Sequence, residues 1–397
     1  MTHHHPFKQP THLTTFSGET IFDDWLPTQF LPLISQVLYC PQSLVSMKVL
    51  LINNYPMDHA WDLWQRGEYP GHHLWGATHL KQHDIEVDIL PYQKFKLLNK
   101  IGRKLGLGDH LEQQIRILFH PQNYDVVYSA CQTNTFLLAL LRSLHLFRKP
   151  IVALIHHPLG QSALQNALFL HGHDQLLCLS STVMHAFPPT SPVVKKIDYI
   201  EWGADLAFYD AVPRSAEHSA AKPLIISAGK TERDHDTLVS ACCDLDCALK
   251  IYCSAATSPT VANLPPHIEI CASTSTNNAV SYQTVLAAYR QATAIAIPLT
   301  KTDNLAGLTS LLDAMAVGKP VVMTRNKQVD IDIEQEGIGI WVDPGDVEGW
   351  QQAITYVLDH PDEARAMGDR GRELCEKKYS LEIFTRHLAN ALNRIAI

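Results

Sequence analysis

Short apolar runs separated by amphipathic stretches fill the chain from Met47 onward. Runs rich in Val, Ile and Leu at 47–52, 85–90, 125–129, 151–156, 175–180 and 197–201 predict buried strands, because strands covered on both faces lose the alternation of polar positions. Between them, apolar residues recur at helical spacing over 72–83, 110–119, 134–147 and 160–170. The segment AVPRSAEHSAAKP (211–223) has the Ala, Ser, Pro and Lys composition of a linker, and the alternation then restarts. Strands at 224–228, 249–253, 268–271, 294–299, 320–324 and 338–342 interleave with helices at 234–243, 281–291, 308–317, 346–358 and 361–377, and an amphipathic helix at 380–396 follows. This order predicts an α/β protein of two doubly wound Rossmann-like domains, each on a parallel sheet, facing a central cleft. The expected organisation is an extension over 1–46, domains over 47–215 and 216–379, and a last helix over 380–397 that crosses back to the first domain.

The extension reads differently. MTHHHPFKQPTHLTTF is polar and His-rich, which suits a solvated tail, and 22–39 predicts a short amphipathic helix interrupted by Pro27 and Pro32. Met47 opens the first strand and would also serve as a second start. Over all 397 residues the formal net charge is -8, which argues against general nucleic-acid binding. No apolar stretch reaches the ~18 residues of a membrane span, and Met1 opens no signal-peptide pattern. Nine cysteines are scattered without a CxxC pair, as expected for reduced thiols in a cytoplasmic protein.

The most informative stretch is AIAIPLTKTDNLAGLTSLLDAMAVGKPVVMT (294–324). A buried strand leads through a polar, Gly-containing loop into a helix with apolar residues at 308, 311, 312 and 315. Gly318 and Pro320 stop that helix, and a second strand returns. The helix starts at a glycine with no acid in its first turn, and its free N–H groups and positive dipole end suit a phosphate or pyrophosphate. Asp313, four residues after Thr309, is placed to reach a ribose on the same ligand.

Four segments carry a family resemblance. LLDAMAVGKPVVMT (311–324) is similar to the "LEAMA-GKPV" signature of retaining glycosyltransferases of the GT-B architecture, glycosyltransferase family 4. IISAGKTERDHDTLVSA (225–241) resembles the opening of that family's nucleotide-binding domain, IEWGADLAFY (200–209) its "GVD–F" hinge, and GIGIWVDPGDVEGWQQAI (337–354) its "G-lv-pgd-e-la-ai" stretch. The likeness is strong over about 200–380, diffuse over 47–200, and does not cover 1–46.

The resemblance implies a donor site for a nucleotide sugar. Gly307, Leu308 and Thr309 would present backbone N–H groups to the diphosphate, with the Thr309 hydroxyl, and Gly229 would line the donor site. Lys230 and Arg233 stand where the family carries cations against the phosphates; the departing diphosphate gains charge, so positioned cations are a large catalytic contribution. Asp313 stands for the second glutamate of the family's E-x7-E pair, one methylene shorter. Leu305 occupies the place of the first glutamate, so Asp303 or Asn304 would supply the polar contact to the sugar. Base contacts would be largely backbone, near Cys271–Thr274 and Tyr282.

In the first domain, VALIHHPLG (152–160) ends a strand with His156 and His157, one of which would fill the place of a family histidine near donor sugar or acceptor. Residues 53–76 resemble the family's Gly-rich acceptor loop, with Gly71 for a family glycine. Asp58, His59, Trp61, His72 and His73 make it suited to sugar or lipid, although a loop packed on its neighbouring helix accounts for the tryptophans as well. KFKLLNKIGRKLGLG (94–108) combines Lys94, Lys96, Lys100, Arg103 and Lys104 with Phe95, Leu97, Leu98, Ile101 and Leu105 and no acid. It suits an anionic membrane surface, or else a solvated helix face.

By this reading the chain is a retaining hexosyltransferase moving a sugar from a UDP-sugar, or a GDP-sugar, to an acceptor hydroxyl on a lipid or glycan. No cofactor and no metal is expected, because no D-x-D motif ends a strand; Asp330-Ile331-Asp332 reads as a loop. The alternatives are a catalytically weak nucleotide-sugar-binding scaffold, favoured by Leu305, and a nucleotide-sugar epimerase on the same architecture.

Overall fold

The computed structural model describes residues 46–92, 95–107, 110–121, 123–160, 162–187, 195–211, 222–273, 280–300 and 302–395. The readings made for residues 1–45, Lys94, Thr274 and most of the 211–223 linker lie outside the described residues. Two parallel six-stranded sheets form the frame. The first holds β1 (Met47–Ile52), β2 (Ile85–Ile89), β3 (Val126–Ser129), β4 (Ile151–Ile155), β5 (Gln175–Cys178) and β6 (Ile197–Tyr199), in the order β2-β1-β3-β4-β5-β6. The second holds β7 (Leu224–Gly229), β8 (Ala248–Ser254), β9 (Ile268–Ser273), β10 (Ala294–Ile297), β11 (Val321–Thr324) and β12 (Gly339–Val342), in the order β12-β11-β10-β7-β8-β9. All twelve strands coincide with the expected runs; interior strands such as β4, β10 and β11 are buried on both faces and apolar at almost every position.

Each sheet reverses its order once, between β1 and β3 and between β7 and β10. At such a switch point the loops after two neighbouring strands diverge and leave a crevice. The strand ends of the two sheets also face each other. Asp330, after β11, accepts hydrogen bonds from the Ser181 backbone N–H at 2.6 Å and its hydroxyl at 2.5 Å, and Ser181 follows β5.

The helices are α1 (Met57–Gln65), α2 (Lys96–Lys104), α3 (Leu111–Phe119), α4 (Phe136–Ser143), α5 (Ala163–Gly172), α6 (Ser181–His185), α7 (Leu206–Ala211), α8 (His235–Cys242), α9 (Tyr282–Gln291), α10 (Leu308–Ala316), α11 (Val347–Asp359), α12 (Pro361–Lys378) and α13 (Leu381–Ile395). The expected helix over 72–83 is instead two 3-10 turns, Gly71–Leu74 and Leu80–His83. Trp75 and Gly76 between them take left-handed backbone (φ 53° and 87°), and no helix continues through such a pair. The expected acceptor loop is likewise partly regular, because Met57 and Ala60 bury one face of α1.

α13 docks on the first half of the chain. Arg394 meets Asp198 at 2.5 Å, and Ala204 exchanges backbone hydrogen bonds with Tyr379 and Leu381 at 2.8 Å each. Cys178, Cys242, Cys247, Cys253 and Cys375 are free and buried, as small apolar side chains would be.

α4 and α5 pack backbone to backbone at Gly172. A Cβ on Gly172 would fall onto the Ala139 backbone, which cannot yield as a side chain would. Gly172→Ala is therefore expected to cost about 1–3 kcal/mol, read as a lower Tm by thermal denaturation. Gly160→Ala, with nothing within 4 Å of the added carbon, should leave Tm almost unchanged; equal effects would discount the packing argument.

Candidate active site

The loops after β7 and β10, on either side of the second switch point, bring together most of the donor residues expected from the sequence. Gly307 caps α10 with φ 87°, and no side chain covers the helix's first N–H groups. A Cβ there would also approach Met323 Cε to 2.5 Å. Glycine is thus required twice, by backbone handedness and by space.

Arg233 turns back over Gly229, whose missing Cβ leaves room for the guanidinium. Its Nη2 donates to Ser310 Oγ at 2.9 Å and its Nη1 to the Thr231 carbonyl at 2.9 Å. Ser310 Oγ in turn donates to the Ala228 carbonyl at 3.1 Å. The side chain keeps some solvent exposure, but Nε is sealed and has no partner. Burial lowers its proton affinity, and Tyr289 and Asp313 offset that. No carboxylate within 4 Å neutralises this cation among the described residues. Lys230, beside it, is exposed.

Asp313 lies deeper than a ribose ligand on an open helix face would. Its Oδ1 accepts the hydroxyls of Tyr282, at 2.6 Å, and of Tyr209. Burial raises its pKa to about 6, and the two tyrosines and Arg233 restrain the rise. His72 Nε2 stands 4.0 Å away. Because His72 Nδ1 accepts the Asp205 backbone N–H at 3.2 Å, its proton sits on Nε2, where no hydrogen-bond acceptor meets it.

The residues expected to meet an acceptor divide. Asp58 and His59 are exposed on α1, and Trp61 packs on Trp64 with ring centroids 5.1 Å apart. Gly71, His72 and His73, by contrast, are built into the joint between the halves. Gly71 N–H donates to Asp205 Oδ2 at 2.7 Å, and His72 has no exposed surface. The His72 carbonyl accepts Trp202 Nε1–H at 3.2 Å, and the His73 carbonyl accepts the Tyr55 hydroxyl. As placed, His72 is a core side chain and lines no open surface. Tyr282, expected near the base, packs edge-on against Tyr69 and His73.

His156 and His157 follow β4, and one glutamine sets both. Gln132 Oε1 accepts the His156 N–H at 2.6 Å and the His157 N–H at 3.3 Å, while its Nε2 donates to the His157 carbonyl at 2.6 Å. His156 Nε2 meets the Ala130 carbonyl at 2.7 Å, so the proton lies there. His157 is exposed, and the Asp303 carboxylate on the opposite loop partly offsets the lowering of its proton affinity by burial. Asp303 is exposed too, whereas Asn304 Oδ1 is used by the Ala306 N–H at 2.8 Å. Leu305 is half-buried and packs on the core. Thr309 is half-buried in the first turn of α10.

Several site-building residues were missed from sequence. Asp205 and Tyr209 lie inside the quoted IEWGADLAFY segment, so that resemblance was the signal available. Ser310 adjoins Thr309. Asn326, almost fully buried, donates to the carbonyls of Asn304 and Ala306 at 2.9 and 3.0 Å and shapes the 304–306 loop. Neither it nor Gln132 had any signal. The groups of His, Cys, Asp and Glu among the described residues include none that could hold a metal ion. Asp332 of the Asp330–Asp332 loop accepts Trp341 Nε1–H at 3.0 Å.

Burial holds His73, His156 and His173 neutral, each with its pKa lowered to about 4, and holds His72 well below its ordinary value too. Their folded pKa lies below the unfolded value near 6.5, so the stability they contribute is present above that value and lost as pH falls toward 4. Asp313, raised to about 6, works in the opposite sense but is one group against four. A pKa lowered from 6.5 to 4 removes about 2 kcal/mol of stability per histidine by pH 5. Tm should fall steeply from pH 7 to pH 5 in a calorimetric series; a flat profile would overturn this account.

Comparison with known proteins agrees with this fold. Residues 272–374 match the family model described as glycosyl transferases group 1. Among curated proteins, none matches the sequence significantly. Similar solved structures include Anabaena HepE in complex with UDP, at 13% identity and TM-score 0.61, covering 88% of this chain and 100% of that one. The sucrose-phosphate synthase of Thermosynechococcus elongatus matches at 15% identity and TM-score 0.63, covering 88% and 99%. The apo lipopolysaccharide outer core galactosyltransferase WaaB matches at 14% and 0.55, covering 88% and 99%. Residues 272–374 thus match the glycosyl transferases group 1, and the chain that carries them has the two-sheet GT-B fold.

Proposed function

We propose that the protein transfers a hexose from a UDP-sugar to an acceptor hydroxyl with retention of configuration. The observation that carries this reading is the Arg233 guanidinium beside the bare start of α10. Two positive features share one crevice with no carboxylate within 4 Å of the guanidinium among the described residues, an arrangement a bound diphosphate would neutralise. The N–H groups of Gly307, Leu308 and Thr309 would take its oxygens, with Arg233 and Lys230 absorbing charge as the glycosidic bond breaks. The sugar would face the cleft near Asp303 and His157. A departing phosphate oxygen that takes the acceptor proton on the same face makes a separate base unnecessary, and the reading needs no metal. Uracil is the favoured base because HepE, of the same fold, is described in complex with UDP and with UDP-glucose.

The test is UDP-glucose turnover and nucleotide binding by the full chain. UDP should stabilise it more than GDP or ADP, and Arg233→Ala should lower kcat about a hundredfold with folding retained. Lys230→Ala, more exposed, should have a smaller effect in the same direction. Unchanged turnover in both variants would remove the phosphate role. Donor binding without turnover would favour the scaffold reading, and a changed sugar with no acceptor present the epimerase.

The acceptor is proposed to be lipid-linked, met at the cytoplasmic membrane face. Leu97, Ile101 and Leu105 recur every four residues along α2 and are exposed, as are Phe95 before it and Leu164 on α5, which at 72% for Leu97 is far from core packing. Lys100, Arg103 and Lys104 lie on the same element. No helix among the described residues is long and apolar enough to cross a membrane, so contact would be interfacial. Replacing Lys94, Lys96, Lys100, Arg103 and Lys104 by Gln should weaken sedimentation with phosphatidylglycerol vesicles by about 1 kcal/mol per charge. Equal binding by parent and variant would sink the idea.

A further inference from the structure

Asp313 is one methylene shorter than the glutamate of the resembled family, and two tyrosine hydroxyls end on the same one of its oxygens. Tyr282 comes from the start of α9, and Tyr209 from α7, just before the chain passes into the second half. Tyr209 is itself pinned, because its carbonyl accepts a hydrogen bond from Arg290 Nη2. Its neighbour Asp210 forms an ion pair with Arg372 at 2.8 Å. The ring of Tyr209 stacks on His72 with centroids 6.1 Å apart. Oδ2 of Asp313 has no protein partner among the described residues, and the side chain keeps 11% of its surface exposed.

We propose that Tyr209 and Tyr282 are positioning residues that lock Asp313 through Oδ1, leaving Oδ2 as the acceptor that reads the ribose hydroxyls of the donor nucleoside. This rests on the donor reading above. A lone aspartate on α10 has rotamer freedom that a ligand would have to quench. Two charge-assisted hydrogen bonds quench it before the ligand arrives. Tyr209 also places part of the donor site on the hinge segment, so the segment joining the halves shapes the nucleoside end of the site.

The test compares UDP with 2′,3′-dideoxy-UDP by calorimetric titration of the full chain, in the parent and in Tyr209→Phe and Tyr282→Phe. The parent should prefer UDP. Each variant should bind UDP about fivefold more weakly, the size of one hydrogen bond, while its affinity for the dideoxy compound stays as it was. Tyr128→Phe, which removes a buried hydroxyl bonded to the Trp75 carbonyl at 3.1 Å, should lower Tm without moving the ratio.

A second readout is the acid limb of UDP binding. The titratable groups facing Asp313 are Tyr209, Tyr282, Tyr69, Tyr289, His72, Cys375 and Arg233. Removing either tyrosine hydroxyl takes away a bond to the charged form, so the limb should move to higher pH. An unchanged ratio and an unmoved limb in both tyrosine variants would overturn the positioning role. A parent that binds both compounds equally would overturn ribose reading by Asp313. A parent that binds no nucleoside diphosphate would overturn the donor reading, and this inference with it.

Discussion

A guanidinium and a carboxylate held out of water without direct pairing are the constraint around which the centre of this molecule is arranged. Burying an isolated ion costs several kcal/mol unless hydrogen bonds or an opposite charge replace its hydration. Arg233 keeps two donors satisfied through Ser310 and the Thr231 carbonyl, and Asp313 takes two tyrosine hydroxyls. Each influences the other's proton affinity without closing into a salt bridge. The absent Cβ of Gly229 and the left-handed backbone of Gly307 are what allow the cation and the helix start to lie this close.

That centre is also where the two halves of the chain are joined. Asp205 ties the Gly71 turn to α7, since its Oδ2 accepts the Gly71 N–H and its Oδ1 the Phe208 N–H at 3.1 Å. Trp202 stacks on Trp75 at 4.9 Å and 19°. Gly203 lies so close to the Ser380 backbone that a side chain would not fit, which brings the start of α13 to the same spot. The residues that resemble an acceptor loop and those that resemble a hinge thus form one packed unit. Neighbours of Asp313 on α10 therefore come from positions 72, 209 and 282, far apart in the chain.

The frame was legible for a simple reason. A strand covered on both faces has to be apolar at every position, so β10 shows as AIAI and β11 as VVMT, and each run lies where a strand lies. The helix between them was equally plain, since Gly307 and Gly318 bracket one apolar face. Periodicity failed over 72–83, where the apolar spacing is helical but Trp75 takes left-handed backbone because stacking and hydrogen bonding to its indole hold it there.

By itself, then, the sequence determined twelve strands, most of the helices that alternate with them, and a helix that begins bare of acid. Those features depend on local spacing and on which side chains are apolar. Only the tertiary structure decided what the polar residues do. Asp313 became a locked, buried carboxylate instead of an exposed one, and His72 a core ring instead of a cleft ligand. Gln132 and Asn326 became the clamps of the 156–157 and 304–306 loops. Those outcomes depend on distances between residues separated by tens to hundreds of positions, which no periodicity records.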